Sequence, residues 1–294
     1  MAATPELNSW IGKSETHTDV ATATPYAALS ATLDWPSERP AKGTALPPIW
    51  HWLYFLPLYP QSDVGPDGHA KRGGFLPPVP LPRRMWAGSQ MEFRHPLRVG
   101  DDLTRTSTIV DVTEKSGSSG PLVFVKVRHE ISVQGEATPA LTEYHDIVYR
   151  EAPKPGAVAA AARPAPSSAT WQRTIVPDDV LLFRYSALTF NGHRIHYDRR
   201  YVTEVEGYPG LIVHGPLLAT LLLDLVRRNA PQAQVARFEF RAMRPVFDLH
   251  AFTVCGQPAT DGASVALWIR DHEGALAMDA TATMASDAAS KRAA

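Results

Sequence analysis

The chain has 294 residues, 44% of them hydrophobic, which is enough for one large domain or two ordinary ones with a real core. Its 29 Lys and Arg against 30 Asp and Glu leave a net charge of −1, without the broad basic footprint that nucleic acid or an anionic membrane surface requires. One cysteine, Cys255, excludes an intramolecular disulfide framework, and no segment reaches the roughly 18 consecutive apolar residues of a spanning helix.

The amino terminus, MAATPELNSWIGKSE, has no apolar run behind a basic start, so the expectation is a soluble, cytoplasmic protein with no membrane or nucleic-acid partner. HTDVATATPYAALSATL then predicts a short helix, and GTALPPIWHWLYFL a longer apolar one. Residues 57–84, PLYPQSDVGPDGHAKRGGFLPPVPLPRR, form an insertion dense in Pro and Gly. It carries a small basic cluster, Lys71, Arg72, Arg83 and Arg84, and reads as a surface loop, a lid or a contact to phosphates. MEFRHPLRVGDDLTRTSTIVDV, LVFVKVRHEIS and ATPALTEYHDIVYR are β-rich runs. Residues 151–170, EAPKPGAVAAAARPAPSSAT, have a linker's composition.

Beyond the linker the same order returns: PDDVLLFRYSALT, GLIVHGPLLATLLLDLV, FEFRAMRPVFDLHAFTVCG, SVALWIRDHEG and ALAMDATATMA. EFR tripeptides at 92–94 and 239–241 anchor the two halves, and a repeated order of elements predicts a repeated packing unit. The best-defined element is the second half's main helix. Gly215 and Pro216 start it, Leu217 to Val226 is apolar on nearly every face apart from Thr220 and Asp224, and Arg227 and Arg228 close it. Such a helix must be buried, here by the antiparallel strands that follow, which makes the fold α+β.

The chemistry concentrates in Phe183 to Asp198, FRYSALTFNGHRIHYD, and in VHGPLL around His214. Asn191-Gly192 reads equally as a turn, and Asp198 as a brace for the next segment. Tyr185, Ser186 and Thr189 are pocket or capping hydroxyls. His193, His196, Asp198 and His214 are numerous enough to hold a metal, although no Cys or Glu completes a pattern.

With the element order, residues 183–228 resemble the MaoC-like double hot-dog hydratases and dehydratases, in the branch with an N-terminal FAS1-like dehydratase domain; the likeness covers residues 8–286. The resemblance implies two units, each a central helix wrapped by a curved antiparallel sheet. Residues 1–150 would be a degenerate N-terminal unit, 151–170 a linker, and 171–294 the catalytic unit. It implies a hydro-lyase adding water reversibly to a short, branched or carboxylated enoyl-CoA of the mesaconyl-C4-CoA or itaconyl-CoA type. The alternatives are a fatty-acid-type 3-hydroxyacyl-thioester dehydratase, a hot-dog acyl-CoA thioesterase or a non-catalytic acyl-thioester binder. It implies no metal and no other cofactor, with an acyl-CoA as partner and pairing into a homodimer left open.

The family's hydratase motif, Gly-Asp-x-Asn-Pro-aliphatic-His, falls on Phe190-Asn191-Gly192-His193-Arg194-Ile195-His196. His196 keeps the histidine position and is the expected acid/base. Asn191 stands at the aspartate position, where an amide can orient water but cannot take a proton. The family's amide donor to the thioester oxygen maps to Gly215, whose N–H at a helix start lacks an internal partner. Tyr185, His193 and His214 are expected around the substrate, and Arg184, Arg194 and Arg199 are candidates for a free carboxylate on it. The first half has no Asn-x4-His and has Pro47-Pro48 where the second has His-Gly, so one site per chain is expected. Trp50, Trp52, Tyr54 and Phe55 favour a short acyl tunnel.

Overall fold

The computed structural model, which describes residues 7–36, 39–117, 120–151 and 161–286, gathers its strands into a 10-stranded sheet. The first unit supplies β1 (Ser14–Val20), β2 (Arg83–Phe93), β3 (Asp102–Gly117), β4 (Gly120–Val133) and β5 (Leu141–Arg150). The second supplies β6 (Trp171–Ile175), β7 (Val235–Ala242), β8 (Phe252–Pro258), β9 (Ser264–Arg270) and β10 (Leu276–Met284). Their order, β1-β3-β4-β5-β2-β7-β10-β9-β8-β6, reads the same from either edge once the second unit's strands are matched to the first's. Residues 152–160 of the linker lie outside the described residues.

The two EFR strands, β2 and β7, are neighbours at the centre of the sheet and pair antiparallel. Met91 and Phe238, which precede EFR in each half, lie opposite one another in that ladder. A local pseudo-twofold axis therefore passes between them, and the duplication read from the sequence is a symmetric sheet. Gly88 allows the strands to close: a Cβ there would stand 2.3 Å from the Phe240 carbonyl oxygen.

Helix α3 (Gly215–Asn229) packs on β6, β8, β9 and β10, with Leu217 to Val226 buried without a break. Thr220 disposes of its hydroxyl on the Pro216 carbonyl at 2.8 Å. Asp224 is taken by Arg173 Nη1 and Arg228 Nε, both at 2.7 Å, and by Trp35 Nε1 at 2.5 Å. Trp35 belongs to the first unit, as does the Leu33 carbonyl that Arg228 also reaches. One buried carboxylate thus ties the helix to both units. The short helices α1 (Ala23–Thr32) and α2 (Asp179–Leu188) pack against each other.

The units form the double hot-dog that the resemblance implied, with one difference. The longer apolar helix expected in the first unit is a 3-10 turn, Trp50–Leu53. Pro47 and Pro48 precede it, Pro57 and Pro60 follow, and Ile49 and Phe55 on either side take positive φ of 63° and 54°, conformations no α-helix contains. The turn is fixed by a buried carboxylate. Glu143 on β5 is hydrogen-bonded to His51 Nε2 at 3.0 Å, and accepts from Trp52 Nε1 at 3.1 Å and Ser89 Oγ at 2.9 Å.

Candidate active site

Helix α2 ends where Thr189 bonds back to the Tyr185 carbonyl at 2.8 Å and Phe190 turns left-handed at φ 49°. The chain then passes through Asn191, whose Oδ1 accepts the His193 N–H at 3.0 Å, into a 3-10 turn, Arg194–His196. This delivers His196, 7% exposed, to the start of α3. Its Nδ1 lies 2.7 Å from the Ile212 carbonyl oxygen. A carbonyl only accepts, so Nδ1 carries the hydrogen and the neutral ring keeps its lone pair on Nε2.

His214, completely buried, stacks on His196 with centroids 3.7 Å apart and planes 18° from parallel. Its Nε2 is 2.8 Å from Ser186 Oγ, and its Nδ1 has no hydrogen-bond partner. Two buried rings in contact cannot both be charged. Burial pushes His196 down to about 3 and His214 well below its ordinary value, so both are neutral at working pH. Gly215 follows, the first residue of α3, with no side-chain cap on the helix and nothing within 4 Å of where a Cβ would stand. The uncapped, positive end of the helix therefore lies next to the stacked rings, and such a terminus can stabilise an oxyanion.

The remaining wall comes from the first unit. Residues 63–71 of the proline-rich insertion form a tight loop, closed by Lys71 N–H to the Asp63 carbonyl at 2.8 Å and Gly65 N–H to the His69 carbonyl at 2.7 Å. It is seated on residues 191–197. Arg194 N–H donates to the Asp67 carbonyl at 2.9 Å, and Arg194 Nη1 to the Pro66 carbonyl at 2.9 Å. At Gly68, φ +90°, a Cβ would stand 1.8 Å from the Gly192 carbonyl oxygen, so only glycine permits this approach. The loop places His69 against His193, centroids 3.9 Å apart, and Asp67 Oδ2 3.1 Å from His69 Nδ1. His193 in turn meets His196 edge to face at 5.5 Å. Burial, then the proximity of His69, pushes His193 down to about 3.

Several expected residues take other places. Asn191 Oδ1 accepts the His193 N–H, so its side chain is fixed within the turn. Asp198 braces the segment, accepting from Tyr201 N–H at 2.9 Å and from Arg194 Nε at 3.0 Å and Nη2 at 2.7 Å. Of the three arginines proposed for a carboxylate, Arg194 is thereby engaged, and it also stacks on Tyr201 at 4.1 Å. Arg199 is exposed and held by Asp179 and Asp248. Arg184 is exposed on α2, lining a groove with Asp34 and Arg173, and it makes no contact with the histidines. Tyr185 is buried behind His214, its hydroxyl 3.4 Å from Thr220 Oγ1. The four-ligand set His193, His196, Asp198 and His214 does not converge. Among the described residues the acid and histidine donors that cluster are Asp67, His69 and His193. Asp67, Gly68 and His69 were not singled out in the sequence. The Asp-Gly turn of GPDGHA is ordinary until the insertion is known to reach the other half.

The family model for hydroxyacyl-thioester dehydratase type 2 matches residues 49–248. The chain is 48% identical over 276 residues to the mesaconyl-C(4)-CoA hydratase of Chloroflexus aurantiacus, covering 93% of this chain and 96% of that one. It is 27% identical over 250 residues to the mitochondrial hydroxyacyl-thioester dehydratase type 2 of Schizosaccharomyces pombe, covering 73% and 79%. A MaoC-like dehydratase from Phytophthora capsici superposes with a TM-score of 0.69 at 14% identity, over 95% of this chain and 97% of that one. A Mycobacterium tuberculosis protein described as having a double hot-dog fold gives 0.56 at 14% identity, over 94% and 96%.

Proposed function

The chain belongs to the hydroxyacyl-thioester dehydratase type 2 family, and we propose that it adds water reversibly to a short enoyl-CoA bearing a free carboxylate, of the kind named for its relative, mesaconyl-C4-CoA. It is a hydro-lyase; the proposal concerns the acyl group and the residues that act on it. The observation that carries the residue assignment is His196, a neutral ring with its hydrogen fixed on Nδ1 and its free Nε2 beside an uncapped helix start.

Nε2 of His196 takes a proton from water as the oxygen attacks the β carbon. The electron pair of the double bond moves toward the thioester oxygen, which the Gly215 N–H receives. Protonation of the α carbon completes the addition. Buried as it is, the His196 imidazolium is unfavourable alone, but it forms only while the enolate charge forms beside it. His214 holds the ring flat, and Ser186 holds His214.

A compact acyl group is supported by the packed aromatic cluster of Trp52, Trp86 and Phe240, whose rings stand 5.0, 5.4 and 6.4 Å apart between centroids. With Arg194 held by Asp198, and Arg199 by Asp179 and Asp248, neither of these arginines is free to meet a substrate carboxylate. The described residues of one chain supply every group named, so a second copy is not required to complete the site. No helix among them is long and apolar enough to cross a membrane, and Cys255 is a buried free thiol, which supports a cytoplasmic setting.

The test is to mix the protein with mesaconyl-C4-CoA, itaconyl-CoA and crotonyl-CoA and follow both enoyl absorbance and free thiol. Loss of absorbance without thiol, fastest on a carboxylated substrate, is expected. Thiol release would replace hydration by hydrolysis.

A further inference from the structure

Asn191 leaves the acid/base pair of the motif without its carboxylate, yet a carboxylate is present in the site. It comes from the other unit. Asp67 holds His69 at two points, Oδ1 accepting the His69 N–H at 3.1 Å and Oδ2 lying 3.1 Å from Nδ1. That contact keeps the Asp67 carboxyl well below the usual carboxylate range, so it is ionised. It also directs the far nitrogen of His69, Nε2, away from the acid. His69 and His196 both contact His193, at 3.9 and 5.5 Å between ring centroids. His69 is 28% exposed, within reach of solvent protons, while His196 is closed off at 7%.

We propose that His69, positioned by Asp67, is the second proton-handling group of the reaction, the acid that protonates the α carbon, standing in from the first unit for the aspartate the motif has lost. The step balances. His196 receives the proton that water gives up, and the hydroxyl oxygen bonds to the β carbon. The enolate electron pair takes the proton of the His69 imidazolium to form the α C–H bond, and the proton left on His196 returns to His69 by way of water. Asp67 supports the imidazolium and so acts through His69. A metal would draw on the same three residues, since one ligand atom from each of Asp67, His69 and His193 lies within 4.8 Å of the others, but it would compete with the hydrogen bond that already engages the carboxylate with His69.

This inference rests on the hydratase reading of the same site, and the experiment separates the two. His69→Ala and His69→Gln are assayed against the wild-type protein on whichever enoyl-CoA it hydrates, with and without added imidazole. The glutamine keeps an amide that reaches Asp67 if the alanine disturbs the loop. Expected is a fall in kcat on the order of 10²–10⁴-fold with KM changed only a few-fold. Imidazole should restore roughly tenfold or more of the His69→Ala rate, because the vacated place opens to solvent and admits a small general acid of the same chemical kind. Asp67→Asn should lower kcat and weaken that rescue in the double variant. A His69→Ala protein that keeps more than half of wild-type kcat overturns the proposal and leaves the hydratase intact. So does stoichiometric zinc in the purified protein whose removal by a chelator abolishes turnover. Absence of hydration by the wild-type protein on every enoyl-CoA overturns both.

Discussion

Asn191 sits where a catalytic carboxylate is expected, but its oxygen closes a turn on the His193 N–H. Either carboxylate or amide oxygen performs that task, so Asn191→Asp should keep activity within a few-fold. Asn191→Ala should lose the turn and about 1 kcal/mol of stability, as removal of a local cap does, read as a drop in Tm. A large loss of activity in Asn191→Asp at unchanged Tm would show that the amide nitrogen touches substrate. At this scale the placing of His196 at the helix start of Gly215 was legible, because the motif spacing and a Gly-Pro helix start are local patterns. Asp67 and His69 were illegible, because their meaning depends on a contact that spans more than a hundred residues of chain. Arg199 shows the converse: its place beside the motif suggested a ligand, while Asp179 and Asp248 hold it at the surface.

Among the elements, α3 carries both the proposed oxyanion donor, Gly215, and the joint between units. Its composition announced burial, and Asp224 in its middle looked like an interruption. That carboxylate, 2% exposed, binds Arg173, Arg228 and Trp35 together. Asp224→Ala strands two half-buried cations and an indole N–H, and should cost about 1–3 kcal/mol, measured by urea unfolding. A loss within the range of a surface substitution would show that the units do not depend on this joint. The first unit's helix was misjudged from the same kind of evidence, an apolar run. Prolines on both sides leave too little chain for an α-helix, and the aromatic rings from Trp50 to Phe55 fill the space instead. Apolar periodicity reports burial, and the turn residues around it decide the backbone.

For the molecule as a whole, the sheet's pseudo-twofold symmetry was legible in the repeated order of runs and in the EFR pair, while the division of labour was not. The first unit has lost the motif, yet it contributes the loop that closes the site. Both units also bury neutral histidines: His129, His193 and His196 are each pushed down to about 3, first by burial. In the unfolded chain these rings titrate near 6.5. Above that pH neither state protonates them and linkage adds nothing. As pH falls from 6.5 toward 3 the unfolded chain takes up protons that the folded one refuses, so stability declines by up to about 1.4 kcal/mol per pH unit for each ring. Thermal unfolding from pH 8 to pH 4 should show a Tm that is level at first and then falls steadily below about 6.5, the ordinary histidine pKa. A level Tm down to pH 4 would mean that the rings are charged in the folded state.

The central claim is that His196, lodged at the start of α3, is the base that hydrates an enoyl thioester. Steady-state hydration of mesaconyl-C4-CoA by the wild-type protein and by His196→Ala tests it most directly, with free thiol monitored in parallel. The account predicts rapid loss of enoyl absorbance without thiol for the wild type, and a fall in kcat on the order of 10²-fold or more in a variant that remains folded. Turnover by His196→Ala near the wild-type rate would contradict it.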